Sequence, residues 1–135
     1  MRYTETMIQE NRQIITYYVL FASRYRRKVF LIGGPKGFRK DFQRIAEDVC
    51  RDNESHIAAF SCGDDYCILY IEASAMISPD LLIKKIKAMT SKMLVAAVKE
   101  LKKAQNLWTR NYFIKTTPIT DEEREAFLCQ QKRRG

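Results

Sequence analysis

The stretch His56-Ile-Ala-Ala-Phe-Ser-Cys-Gly-Asp-Asp-Tyr-Cys-Ile-Leu-Tyr-Ile-Glu72 decides the fold. It reads as two strands, 56–62 and 66–72, joined by Gly63-Asp64-Asp65, a turn short enough for a hairpin. Upstream, Phe38, Phe42, Ile45 and Val49 recur at intervals of four, three and four, which predicts one face of a helix ending near Asn53. Before that helix come the turn signal Gly33-Gly34-Pro35 and a β-branched, aromatic strand over 14–21. Downstream, Ser78 and Pro79 supply a cap and a first helical position. Leu82, Ile86, Met89, Met93, Ala97 and Leu101 then step along one face of a long helix, with Lys85, Lys92 and Lys99 on another. A fourth strand is expected over 112–115. Thr120-Asp-Glu-Glu123, after Pro118, is a capping box that opens a last helix through about residue 131.

The resulting order is β-α-β-β-α-β-α. Two crossovers with a hairpin between them predict an α+β domain with a ferredoxin-like four-stranded antiparallel sheet. Its helices lie on one face, and a C-terminal helix follows. On this reading the second sheet face is left free. The same topology serves RNA-binding domains, so it does not select a function.

A chain of 135 residues is long enough for one hydrophobic core. It is 46% apolar and carries seven Tyr, seven Phe and one Trp, which argues for a folded globule. The expected division is a polar arm over 1–13, a domain over 14–131 and a basic tail over 132–135. No window approaches the ~18 apolar residues of a membrane span. The N-terminus lacks the pattern of a signal peptide. The expected location is the cytoplasm, with no membrane partner. The four cysteines, Cys50, Cys62, Cys67 and Cys129, include no Cys-x-x-Cys pair and are expected to be free thiols. Cys62, Cys67, Cys129 and the lone His56 have zinc-ligand atoms, but their spacing matches no common structural zinc pattern.

The formal charge is +8, and its distribution says more than the sum. Residues 24–40 hold seven basic side chains and no acidic one. Residues 81–115 hold nine basic and one acidic, whereas 41–80 hold nine acidic and two basic. Such segregation suits a surface that neutralises phosphates and releases counterions. The plain alternative is solvated lysine, which accounts less well for the arginine run.

Three segments carry a resemblance. Tyr25-Arg-Arg-Lys-Val29 follows the first strand, residues 82–94 contain Ile86-Lys87-Ala88 and Thr90-Ser91, and Leu107-Trp-Thr-Arg-Asn-Tyr-Phe113 precedes the last helix. In this order and at these distances they resemble the single-tyrosine HUH transposases of bacterial insertion sequences and their REP-associated relatives. Ala88 and Asn111 stand where glycine is usual, and the arm over 1–13 is extra. The resemblance implies a protein that cuts single-stranded DNA with a tyrosine. It also implies Mg²⁺ or Mn²⁺ held by a His-hydrophobic-His motif, and a homodimer whose two sheets join.

In such relatives an aspartate precedes the two histidines, which alternation along a strand places on one face. Aligning Asp65 puts Tyr66 and Ile68 at the histidine positions. Isoleucine has no donor atom, and a phenol ordinarily keeps its proton near neutral pH. The family's nucleophile stands four residues before a metal-contacting glutamine. The matching pair here is Phe127 and Gln131, so the ring remains and the attacking hydroxyl is gone. The expectation is a scaffold without cleavage chemistry and without a cofactor.

Arg24, Arg26, Arg27 and Lys28 are the first candidates for phosphate contacts, and Lys85, Lys87, Lys92 and Arg110 the second. Trp108 suits stacking on an unpaired base or, better, a place in the core. Tyr17, Tyr18, Tyr66 and Tyr70 line the sheet, with alternation sending some to the core. The reading that follows is a nucleic-acid-binding homodimer recognising hairpins in single-stranded DNA. One rival is an active nicking enzyme with an altered site and a Mg²⁺ or Mn²⁺ cofactor. Another is a dimeric scaffold that binds protein alone.

Overall fold

The computed structural model describes residues 13–102 and 106–131. The polar arm (apart from Gln13) and the basic tail lie outside them. Strands β1 (Ile14–Ala22), β2 (Ser55–Cys62), β3 (Tyr66–Ser74) and β4 (Phe113–Lys115) form one sheet in the order β2-β3-β1-β4. Every pairing is antiparallel. This is the ferredoxin-like order expected from the hairpin and its two crossovers. A register shift between Ile57 and Ala59 marks a bulge in β2 at Ala58.

Helices α1 (Phe38–Asp52) and α2 (Pro79–Ala97) cover one face. Alternation sends Val19 and Phe21 of β1 and Cys67, Leu69 and Ile71 of β3 into that layer. There they meet Phe42 and Ile45 of α1 and Ile83 and Ile86 of α2. The periodicity of α1 is as read: Phe38, Phe42, Ile45 and Val49 are all buried. The N-terminus of α2 is also as read, with the Leu81 N–H donating to the Ser78 hydroxyl at 3.3 Å and Pro79 in the first turn.

The apolar face of α2 departs from expectation. Met89 and Met93 are each 42% exposed, and Ala97 is exposed. Ile83, Thr90, Ser91 and Leu94 are buried instead. Polar demands turn the helix. The Trp108 indole N–H donates to the Thr90 hydroxyl at 2.9 Å, and the Leu107 N–H donates to the Ser91 hydroxyl at 3.1 Å. A buried donor left without a partner costs about 1–3 kcal/mol, which offsets what a methionine gains by burial, and here the hydroxyls take the inside. The helix also stops at Ala97, and Leu101 reaches the core from a separate 3-10 turn.

The second sheet face is not wholly free. Helix α3 (Asp121–Gln131) lies on its end nearest the β2–β3 turn, where Phe127 and Leu128 pack with Leu20 and Ala22. The capping box is formed as read. The Glu123 N–H donates to the Thr120 hydroxyl at 3.1 Å, and the Thr120 N–H donates to the Glu123 carboxylate at 2.9 Å. Lys115 of β4 binds the same carboxylate at 2.9 Å, tying the helix start to the sheet. Thr120→Ala is expected to cost about 1 kcal/mol, read as a lower urea midpoint at unchanged slope. Among the described residues, no helix is long and apolar enough to cross a membrane.

Candidate functional site

The β1–β3 register sets Ala22 beside Tyr66 and Leu20 beside Ile68. All four side chains belong to the face that α3 covers, and Phe127 lands among them. The three positions singled out by resemblance, Tyr66, Ile68 and Phe127, therefore come together. What they form is an apolar contact, completed by Leu128, Phe113 and Ile119. The Phe113 and Phe127 rings are 6.4 Å apart. Tyr66 bends back over the turn, so that a Cβ on Gly63 would meet its ring at 2.2 Å. Glycine at 63 gives that ring its place.

Gln131 lies one turn beyond Phe127. It is fully buried, and neither atom of its amide has a hydrogen-bond partner. The resemblance puts the family's glutamine at this position, and here the side chain is enclosed. The donors around it do not fit a divalent cation, which takes about six oxygen ligands. Ile68 offers none, and Tyr66 offers only a phenol oxygen. Asp65 is committed elsewhere: Arg26 Nε donates to its carboxylate at 2.6 Å. One carboxamide oxygen is not a metal site. The zinc alternative fails on geometry too. Cys62 and Cys67 pair across β2 and β3 on the core face, whereas Cys129 is exposed on α3. Among the described residues, no cluster of His, Cys, Asp or Glu could hold a metal ion. Burial pushes the Cys50 thiol up to about 12 and the Cys67 thiol well above its ordinary value, which makes these two inert.

The basic residues divide into those that hold the fold and those that face solvent. Arg26 holds. Besides Asp65, its Nη1 donates to the Leu128 carbonyl of α3 at 3.0 Å, so its charge is spent inside the protein. Lys87 also holds. Its ammonium donates to the carbonyls of Thr109 (2.7 Å), Arg110 (3.2 Å) and Asn111 (3.4 Å), and burial lowers its pKa to about 8. Both were expected at phosphates, and the geometry makes both braces instead. Lys85 donates to the Asn53 side chain at 2.9 Å but stays exposed. Arg27, Lys28, Lys92 and Arg110 are exposed, and Arg24 is half-buried.

The turn that carries the first group is strained. Tyr25 and Arg26 have φ of 60° and 52°, left-handed values that cost a side-chain-bearing residue about 1–2 kcal/mol each. Four bonds hold it. Two come from Arg26, one from the Ser23 hydroxyl to the Arg27 carbonyl at 2.5 Å, and one from the Arg24 N–H to the Leu107 carbonyl at 2.7 Å.

That last bond and the Ser23–Trp108 bridge dock this turn onto segment 107–109. Lys87 grips the far side of the same segment. The two cationic groups thus meet at one seam. A cleft of about 560 Å³ opens beside it, lined by Lys84, Lys92, Asn106 and Arg110 among others. Lys84 was not singled out from sequence. Its position three residues before Lys87 is a helical signal that points to it, although a 3.0 Å pairing with Asp80 partly satisfies it. Trp108 itself is 1% exposed and packs against four phenylalanine rings, 5.0 Å from Phe21. It is core and does not offer a face to a base.

Two solved structures share this architecture. A provisionally named transposase of Deinococcus radiodurans R1 superposes with a TM-score of 0.75 at 19% identity, over 89% of this chain and 92% of that one. A REP-associated tyrosine transposase bound to a REP hairpin gives 0.57 at 15% identity, over 82% of this chain. The chain spans only 61% of that protein's length. No curated relative matches. The profile of the family described as Transposase IS200 like matches residues 11–126 and stops one residue short of Phe127. With a match over that span, the chain belongs to the IS200-like transposase family.

Proposed function

We propose that this protein binds single-stranded hairpin DNA without cutting it. The observation that carries the reading is the apolar contact among Tyr66, Ile68 and Phe127, beside a surface that keeps its cations. A strand bound along the exposed cations Arg27, Lys28, Lys92 and Arg110 would have them at its phosphates. It would meet neither a metal nor a hydroxyl in line with a scissile bond. The hairpin bound by the structural relative supports the choice of ligand. Such a protein masks a hairpin or represses a mobile element, acting in the cytoplasm. Family resemblance further implies a homodimer, which sedimentation equilibrium measures directly.

The test is a titration with a hairpin oligonucleotide, an unstructured strand and a duplex, at 50 and 200 mM salt, with and without Mg²⁺. Three or four phosphate contacts predict a fall in hairpin affinity of roughly tenfold to fiftyfold over that range, at a slope of about −0.7 per contact. Hairpin preference with no Mg²⁺ requirement is the expected result. Affinity that is flat in salt, with no hairpin preference, would leave the protein-only scaffold.

The rival reading, an altered nicking enzyme, needs another nucleophile. Tyr112 lies beside Lys87, whose Nζ is 5.8 Å from its ring. Burial first, and then the hydrogen bond it donates to Asp80, push its pKa up to about 12. It keeps its proton and is a poor attacking group.

A further inference from the structure

We propose that Tyr25 is a stacking platform for one unpaired base of the bound strand, an inference that rests on the nucleic-acid-binding reading above. Tyr25 is 64% exposed, and it is the one aromatic among the exposed large apolar side chains of the described residues. Its ring stands on the left-handed turn described above, at φ 60° and ψ 20°. The ring belongs to neither core cluster, and its ring contacts are with the guanidinium groups of Arg24 and Arg27. The bonds that fix the turn come from its neighbours, through Arg26 to Asp65 and Leu128 and through Arg24 to Leu107. The turn is thus built to hold an apolar plane in water.

The surroundings say what the plane is for. The Arg24 and Arg27 guanidinium carbons stand 5.6 and 5.7 Å from the ring centroid. Both stand over the ring within cation–π reach, and the ring still keeps most of its surface in solvent. Lys28 follows, and residues 24–40 contain no carboxylate. An unpaired nucleotide has the complementary form, a flat π-surface on a backbone with a phosphate on either side. Base–aromatic stacking is tolerant of sequence and unavailable to a paired base within a stem. Tyr25 would therefore sense unpaired nucleotides beside the hairpin, while Arg27 and Lys28 supply affinity common to all DNA.

The experiment places 2-aminopurine at each unpaired position flanking the stem of a hairpin oligonucleotide. It compares wild type, Tyr25→Ala and Tyr25→Phe against that hairpin and against a duplex of the same stem. Binding by wild type should quench the probe at one position. Tyr25→Ala should abolish the quench and weaken the hairpin by about fivefold to a hundredfold, which is about 1–3 kcal/mol. Tyr25→Phe should keep both. Duplex affinity and the salt slope should stay within twofold in each variant, whereas Arg27→Ala should lower the slope. A hairpin bound with steep salt dependence but indifferent to Tyr25→Ala overturns this inference and leaves the parent reading standing. A change of oligomeric state with Tyr25→Ala assigns the ring to a subunit contact and also overturns it. A wild type that binds no DNA removes both.

Discussion

Trp108→Ala unfolds at a temperature roughly 10–20 °C below the wild type. Removing a buried tryptophan costs about 3–5 kcal/mol, the transfer free energy of the ring plus the cavity it leaves, and a domain of this size loses a few degrees per kcal/mol. The ring touches Phe21, Phe38 and Phe42 at centroid distances of 5.0, 6.2 and 5.5 Å, so the cavity opens at the joint between β1 and α1. Trp108→Phe separates the contributions. It keeps most of the apolar contact and loses the indole N–H, leaving Thr90 without its donor at a cost of about 1–2 kcal/mol. The same variant tests function. Because Trp108 offers no face to solvent, Trp108→Phe should bind a hairpin within twofold of the wild type below its melting range. A selective loss of hairpin affinity in a well-folded Trp108→Phe would mean that the ring reaches nucleic acid.

Most of the architecture is legible in local pattern. The hairpin, both crossovers, the Ser78 cap and the Thr120–Glu123 box each announce themselves within a few residues, because each is a local bargain between backbone and side chain. The apolar side of α2 is not. Methionine at 89 and 93 outranks threonine and serine on any scale of hydrophobicity. Only the far-off indole at 108 and the 107 N–H explain why Thr90 and Ser91 go inside. The same limit applies to the cations. In sequence, Arg26 and Arg27 are equivalent. In the fold, the left-handed turn aims one at Asp65 and α3 and leaves the other in solvent. Lys87 differs from Lys85 and Lys92 only because three carbonyls of the 109–111 segment close around it. Charge runs show that a surface is basic, and tertiary contacts decide which of its charges remain available. Tyr25 escaped the sequence reading because an exposed tyrosine and a core tyrosine look alike in a basic run.

The proposed loss of cleavage chemistry makes the sharpest prediction. Wild-type protein incubated with hairpin DNA and Mg²⁺ or Mn²⁺ should give no denaturation-resistant protein–DNA adduct, because position 127 carries no oxygen to form a phosphotyrosine bond. Phe127→Tyr returns that oxygen, and the adduct should still not form. The hydroxyl would join an apolar cluster of Leu20, Ala22 and Leu128, whose side chains supply neither a metal-ligand atom nor a base. Metal polarisation is worth several kcal/mol at the transition state, and each 1.36 kcal/mol is a factor of ten in rate. The single variant should therefore remain about three orders of magnitude or more below a metal-assisted cleavage. Recovering the reaction requires donors at Tyr66 and Ile68 as well. Those substitutions place two imidazoles against the Leu20–Phe127 contact, so the triple variant should lose stability in apo form and regain part of it with Mn²⁺. Hairpin affinity should stay within a few fold across the series, since Arg27, Lys28, Lys92 and Arg110 are untouched. The outcome that defeats this account is a metal-dependent adduct from the wild type that disappears when one tyrosine, Tyr112 first among them, is changed to phenylalanine.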